Sequence, residues 1–194
     1  MQCANPVSPQ APSQWLQTYY FLRAGVSIGW IALAVLLGSH DPAIGAVLLI
    51  AYPAWDAFAN HLDARKTGGL GRNPTQMVNV LVSAATTVAI AWALTVGMAA
   101  TIQVFGAWAI FSGLLQLATA VRRWKNAGGQ WVMILSGAQS AAAGAFFFKQ
   151  ATSGIPLDVV TVAPYAALGA VYFLISAIWL TVRNARQRAQ LPTG

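Results

Sequence analysis

Six long apolar stretches, at residues 19–38, 43–60, 77–97, 99–121, 130–148 and 159–182, constrain this chain more than any other feature. A helix needs about 20 apolar residues to cross the hydrocarbon core of a bilayer. Each stretch is continuous rather than alternating and rich in Ala and Leu, which predicts helices and not barrel strands. Only 8% of the 194 residues are charged and 57% are hydrophobic. A soluble domain carries roughly 25% charged residues, so soluble, disordered and fibrous classes are excluded. The expected fold is all-α: a polytopic membrane protein with six transmembrane helices in residues 19–182. A disordered cytoplasmic tail, 1–18, precedes them and a basic cytoplasmic tail, 183–194, follows.

The breaks between stretches have local causes. Ser39-His40-Asp41-Pro42 is a turn that places Pro42 at the first position of the next helix. Gly68-Gly69-Leu70-Gly71-Arg72-Asn73-Pro74 is a flexible connector. Gly97-Met98 is a minimal break, and Asn126–Gly129 and Thr152–Pro156 separate the last three stretches. Cys3 is the single cysteine, so no intramolecular disulfide forms.

Charge sets the expected orientation. Arg23, Arg65, Lys66, Arg72, Arg122, Arg123, Lys125, Arg183, Arg186 and Arg188 fall on one predicted side, and only Lys149 on the other. The positive-inside rule then puts both termini in the cytoplasm. The net charge of +7 reads as topology plus contact with anionic lipid headgroups at the cytoplasmic loops. The cations are divided among short loops, which argues against a nucleic-acid partner. Trp15, Tyr19, Tyr20, Trp124, Trp131 and Trp179 lie near cytoplasmic span ends, as an aromatic belt requires. Trp30, Trp55 and Trp108 lie nearer mid-span and call for a packing or functional explanation.

An internal repeat is visible. Tyr52-Pro53-Ala54-Trp55 and Phe105-Gly106-Ala107-Trp108 are offset by 53, as are Phe58 and Phe111, and Val82–Ala85 and Leu135–Ala138. Leu168-Gly169-Ala170 and Val26–Gly29 give looser copies. The unit is a helical hairpin used three times with each copy starting on the same side, so the repeats are expected to be parallel. Small-residue stripes, Gly25/Gly29, Ser83/Thr87/Ala91 and Gly137/Ala141/Ala145, are expected to bring helices close inside the bundle, with a homo-oligomer face as the alternative.

The runs Tyr19-Tyr20-Phe21-Leu22-Arg23, Tyr52-Pro53-Ala54-Trp55-Asp56, Gln76-Met77-Val78-Asn79 and Phe105–Trp108 through Gly113-Leu114-Leu115-Gln116 resemble the HdeD-like acid-resistance membrane protein family. The resemblance implies a small six-helix protein of the bacterial inner membrane, sometimes linked to acid stress. It implies no settled biochemical activity and no active site. The family favours a small residue at Gly113, where the other copies carry Asn60 and Ser176.

One polar constellation stands out. Asp56, Asn60 and Asp63 are spaced i, i+4, i+7, which puts them on one helix face. An Asp at a helix centre costs roughly 2.5–3.5 kcal/mol on insertion scales. Arg23 and Ser27 are expected at similar depth on the first span, with Gln76 and Asn79 opening the third and Gln116 near the end of the fourth. These eight residues could form a polar pocket open to the cytoplasm. Two readings stay open: an Arg23–Asp56 ion pair locking the spans together, or a proton or small-solute site of a channel or transporter. A neighbouring cation favours the ionised carboxylate, which suits the lock better than a proton shuttle.

Other chemistries find little footing. There is no Glu, and His40 and His61 lie near opposite membrane faces. Asp56, His61 and Asp63 make a poor metal set, and no metal or cofactor is expected. Gly68–Gly71 lacks the strand and the Gly-Lys-Ser/Thr of a phosphate loop, and no Ser has a His and an acid at its depth. Catalysis is not expected.

Overall fold

A computed structural model describes residues 11–123 and 130–189. Every long element is a helix: α1 Ala11–Leu33, α2 Pro42–Lys66, α3 Pro74–Val96, α4 Met98–Arg123, α5 Gln130–Ala151 and α6 Ala163–Ala189. Helix α1 continues as a π-helical turn, Ala34–Gly38, and short 3-10 turns precede α3, Leu70–Arg72, and α6, Val159–Val162. Helix starts follow the sequence chemistry. The Asp41 carboxylate accepts from the backbone of Ala43 and Ile44 ahead of Pro42. The Asp158 side chain accepts from Val160 N and Thr161 N, and the Thr161 hydroxyl oxygen in turn accepts from Asp158 N–H. Gly97, at φ 142°, makes the tight α3–α4 turn where a residue with a Cβ would be strained.

Among the described residues, five helical stretches are long and apolar enough to cross a membrane: Gln14–Gly38, Pro42–Lys66, Pro74–Val96, Met98–Ala118 and Val159–Arg186. The chain is an all-α, multi-pass membrane protein. Helix α5, expected as the fifth of six spans, is a helix of 22 residues.

The helices also outrun the expected stretches. Residues 11–18, expected as disordered tail, form the first two turns of α1, where the Trp15 ring stacks on Tyr19. Residues 183–189, expected as tail, continue α6. Helix α2 runs six residues beyond Asn60, which keeps Asp63 in regular helix. Cys3, Trp124 and the Asn126–Gly129 break lie outside the described residues.

The chain divides into two compact units, Trp30–Ala166 and Met1–Gly29 with Ala167–Gly194. In the first, Leu49, Ile90, Ile102, Phe105, Val159 and Val162 are fully buried, with Trp30, Trp108 and Phe147 beside them. Trp30, Tyr52, Phe105, Trp108, Tyr165 and Phe147 form a chain of rings with centroids 4.9–6.4 Å apart. Pro53 removes one rung of the α2 ladder, and nearby the Leu48 carbonyl accepts the Trp30 indole N–H at 2.8 Å.

Helices α4 and α5 of this unit meet through glycines. A Cβ on Gly106 would lie 2.9 Å from Gly144 O, and one on Gly137 2.8 Å from Gly113 O. The two steps are seven residues apart on each helix, two turns, so the antiparallel helices touch backbone to backbone twice. Without a hydrophobic drive between helices in lipid, such close packing is what holds spans together. The expected Gly25/Gly29 contact is not found: a Cβ at either position has nothing within 4 Å. Spacing alone cannot distinguish a glycine pair that faces a neighbour from one that faces outward.

In the second unit, α1 and α6 are joined by polar and aromatic contacts. Gln17 donates to Thr181 Oγ1 at 2.7 Å and accepts from Asn184 at 3.5 Å. Tyr20 stacks on Phe173.

Candidate functional site

The α2 face predicted from spacing is real and is turned to α3. Asn60 and Asp63 are 7% and 8% exposed, while Asp56 is half-buried. Asn60 Nδ2 reaches back one turn to Asp56, donating to Oδ2 at 2.9 Å and to the backbone oxygen at 2.8 Å. From α3, the Ser83 hydroxyl donates to the same Oδ2 at 2.7 Å. Ser83 has one proton to give, and its lone pairs are then open. The Trp108 indole of α4 donates to it at 3.2 Å. One buried serine thus connects α2, α3 and α4, and Trp108 is itself packed edge-on against Tyr165. Two turns further along α2, Asp63 Oδ2 accepts from Gln76 of α3.

The polarity of these bonds limits the chemistry. Asp56 Oδ2 takes two donors and serves there as an acceptor, with its orientation fixed from two helices. Ser83 has spent its proton on a carboxylate and has no imidazole beside it, so it lacks the arrangement of an activated nucleophile. Among the described residues no three His, Cys, Asp or Glu side chains gather within reach of one metal ion.

The other expected members are distributed. Asn79 is half-buried on the same α3 face as Gln76 and Ser83, by its i, i+3, i+7 spacing. Gln116 belongs to a different interface: its Oε1 accepts from Ser136 of α5 at 3.4 Å. Its place near the end of α4 matched the depth of the cluster, but depth along a helix says nothing of the face. Arg23 and Ser27 lie in the other unit. There Arg23 donates to Tyr19 Oη at 3.0 Å, with its guanidinium 4.4 Å from the Phe173 ring centroid. Ser27 is 5% exposed.

Sequence reasoning missed Ser83 and Trp108 as members of the cluster. Ser83 reads equally well as one small residue in a packing stripe. Trp108 did carry a signal, since an indole N–H placed mid-span must find an acceptor.

Residues 79–149 match the model of a family described as a short repeat of unknown function (DUF308). The match spans α3 from Asn79, α4, and α5 to Lys149, so it contains Ser83, Trp108 and both glycine steps but neither Asp56 nor Asp63. No curated protein and no solved structure matches the chain.

Proposed function

We propose that this chain is a non-catalytic protein of the bacterial inner membrane, of the HdeD-like type, that acts structurally or protectively under acid stress. The observation that carries the reading is the use made of the polar cluster. Asp56, Asn60, Ser83, Trp108, Asp63 and Gln76 bond from helix to helix, as a lock between spans does. Polar pairs of this kind contribute modestly in membranes, about 0.6 kcal/mol on average and up to about 1.7. Both termini face the cytoplasm, which the ten-to-one distribution of Lys and Arg supports. The chain works with membrane lipid, and a homo-oligomer is the alternative use of its small-residue stripes.

A second reading, a small channel or transporter using Arg23 and Asp56, draws on one feature. Asp56 alone among its buried neighbours Asn60, Asp63 and Ser83 keeps substantial exposure. The test is reconstitution of the full chain in sealed vesicles loaded with a pH-sensitive dye, beside survival of cells after acid shock. The protective reading expects no proton flux above protein-free vesicles, and lower survival when the gene is deleted. Flux that Asp56→Asn abolishes would establish the transport reading in its place.

A further inference from the structure

The end of α2 and the connector to α3 carry three cations in eight residues, Arg65, Lys66 and Arg72, all exposed. The connector is a folded turn. Gly69 N and Thr67 N both bond to Ala64 O, at 2.7 and 3.1 Å. Gly68 and Gly69 take φ of 103° and 87°, conformations that favour glycine. The Asn73 side chain closes the turn by donating to Thr67 O at 3.0 Å and Gly69 O at 2.9 Å. The Arg72 stem lies on Gly68: a Cβ there would be 3.3 Å from Arg72 Cδ. The turn therefore folds Arg72 back towards the last turn of α2, which holds Arg65 and Lys66.

Both helices that meet here are long and apolar enough to cross a membrane. Their shared end therefore comes to the depth of the lipid headgroups. We propose that this turn binds the phosphodiester headgroup of an anionic phospholipid, with Arg65, Lys66 and Arg72 as its cationic contacts and Gly68 as the seat of Arg72. Guanidinium groups suit this partner because their planar fork donates to two phosphate oxygens at once. Each Lys or Arg near an anionic surface is worth a factor of about five in partition. Exposed cations are screened by salt, so the expected preference for phosphatidylglycerol over phosphatidylcholine is on the order of tenfold for the three.

The test is native mass spectrometry of the full chain in detergent with equimolar phosphatidylglycerol and phosphatidylcholine. The wild type should retain phosphatidylglycerol preferentially, and the variant Arg65→Gln, Lys66→Gln, Arg72→Gln should lose that preference. The variant Arg183→Gln, Arg186→Gln removes two exposed cations from α6 and should keep it. Gly68→Ala keeps every charge but strains the turn at φ 103° and crowds Arg72, and should weaken the preference several-fold. If the triple variant does not fold, as read by far-ultraviolet circular dichroism, Gly68→Ala decides. Equal retention of the two lipids by the wild type overturns the proposal, as does equal loss from the connector and α6 variants, which would mean net charge alone. A Gly68→Ala variant with undiminished preference overturns the seating of Arg72. A thermal shift of the wild type by inorganic phosphate, without a lipid preference, would replace the lipid with a soluble anion.

Discussion

Alanine at Gly113 should separate two helices that the wild type holds backbone to backbone. An ideal Cβ there would lie 2.5 Å from Gly137 O and 2.7 Å from Ala141 N. Ordinary van der Waals contact begins at 3.4 Å, so α4 and α5 must part locally by 3.4 − 2.5 = 0.9 Å. Both obstacles are backbone atoms, and no rotamer change absorbs the methyl. Overpacking of this kind costs about 1–3 kcal/mol, with backbone obstacles placing it at the upper end. A Gly→Ala change inside a helix returns up to about 1 kcal/mol of propensity. The net expectation is a loss of about 2 kcal/mol, or roughly 4–8 °C in Tm for a chain of this size. Gly29→Ala is the control, because its Cβ would meet nothing within 4 Å. It should be neutral or gain up to about 1 kcal/mol from propensity alone. The assay is thermal unfolding of the full chain in detergent by circular dichroism at one scan rate. If Gly113→Ala and Gly29→Ala shift the midpoint alike, the glycine seam between α4 and α5 is wrong.

Two further outcomes are expected. Trp30→Phe withdraws the indole N–H from the buried Leu48 carbonyl and should cost about 1–3 kcal/mol, whereas Trp55→Phe, at a half-buried ring, should change stability by less than about 0.5 kcal/mol; equal losses in thermal melts would refute the distinction. Single cysteines at positions 70 and 154, in a chain whose Cys3 is replaced, should be shielded and accessible respectively to an impermeant thiol reagent in intact cells; labelling at 70 from outside would reverse the orientation.

What the sequence made legible was periodic. The 3.6-residue spacing of Asp56, Asn60 and Asp63 predicted a shared face, and α2 presents it to Ser83 and Gln76. Apolar runs located the helices, but their ends follow hydrogen bonds and ring contacts that hydropathy does not see. Trp15 stacking on Tyr19 extends α1 backwards, and Gln17 bonds with Thr181 and Asn184. Partner choice was not legible. Gly25/Gly29 and Gly113/Gly137 look alike as candidates for close contact, yet only the second pair meets a neighbouring backbone. Gln116 shares its depth with the Asp56 cluster and bonds with Ser136 instead.

If the polar cluster locks the helices together, the bond from Ser83 to Asp56 is its keystone. It is tested most directly by a double-mutant cycle on the full chain in detergent, with Asp56→Ala, Ser83→Ala and the double variant compared by thermal stability. The single variants should each be destabilised, and their effects should be coupled by about 1 kcal/mol, within the range measured for hydrogen bonds between membrane helices. Stabilities that add to within about 0.3 kcal/mol, the behaviour of independent sites, would contradict the lock.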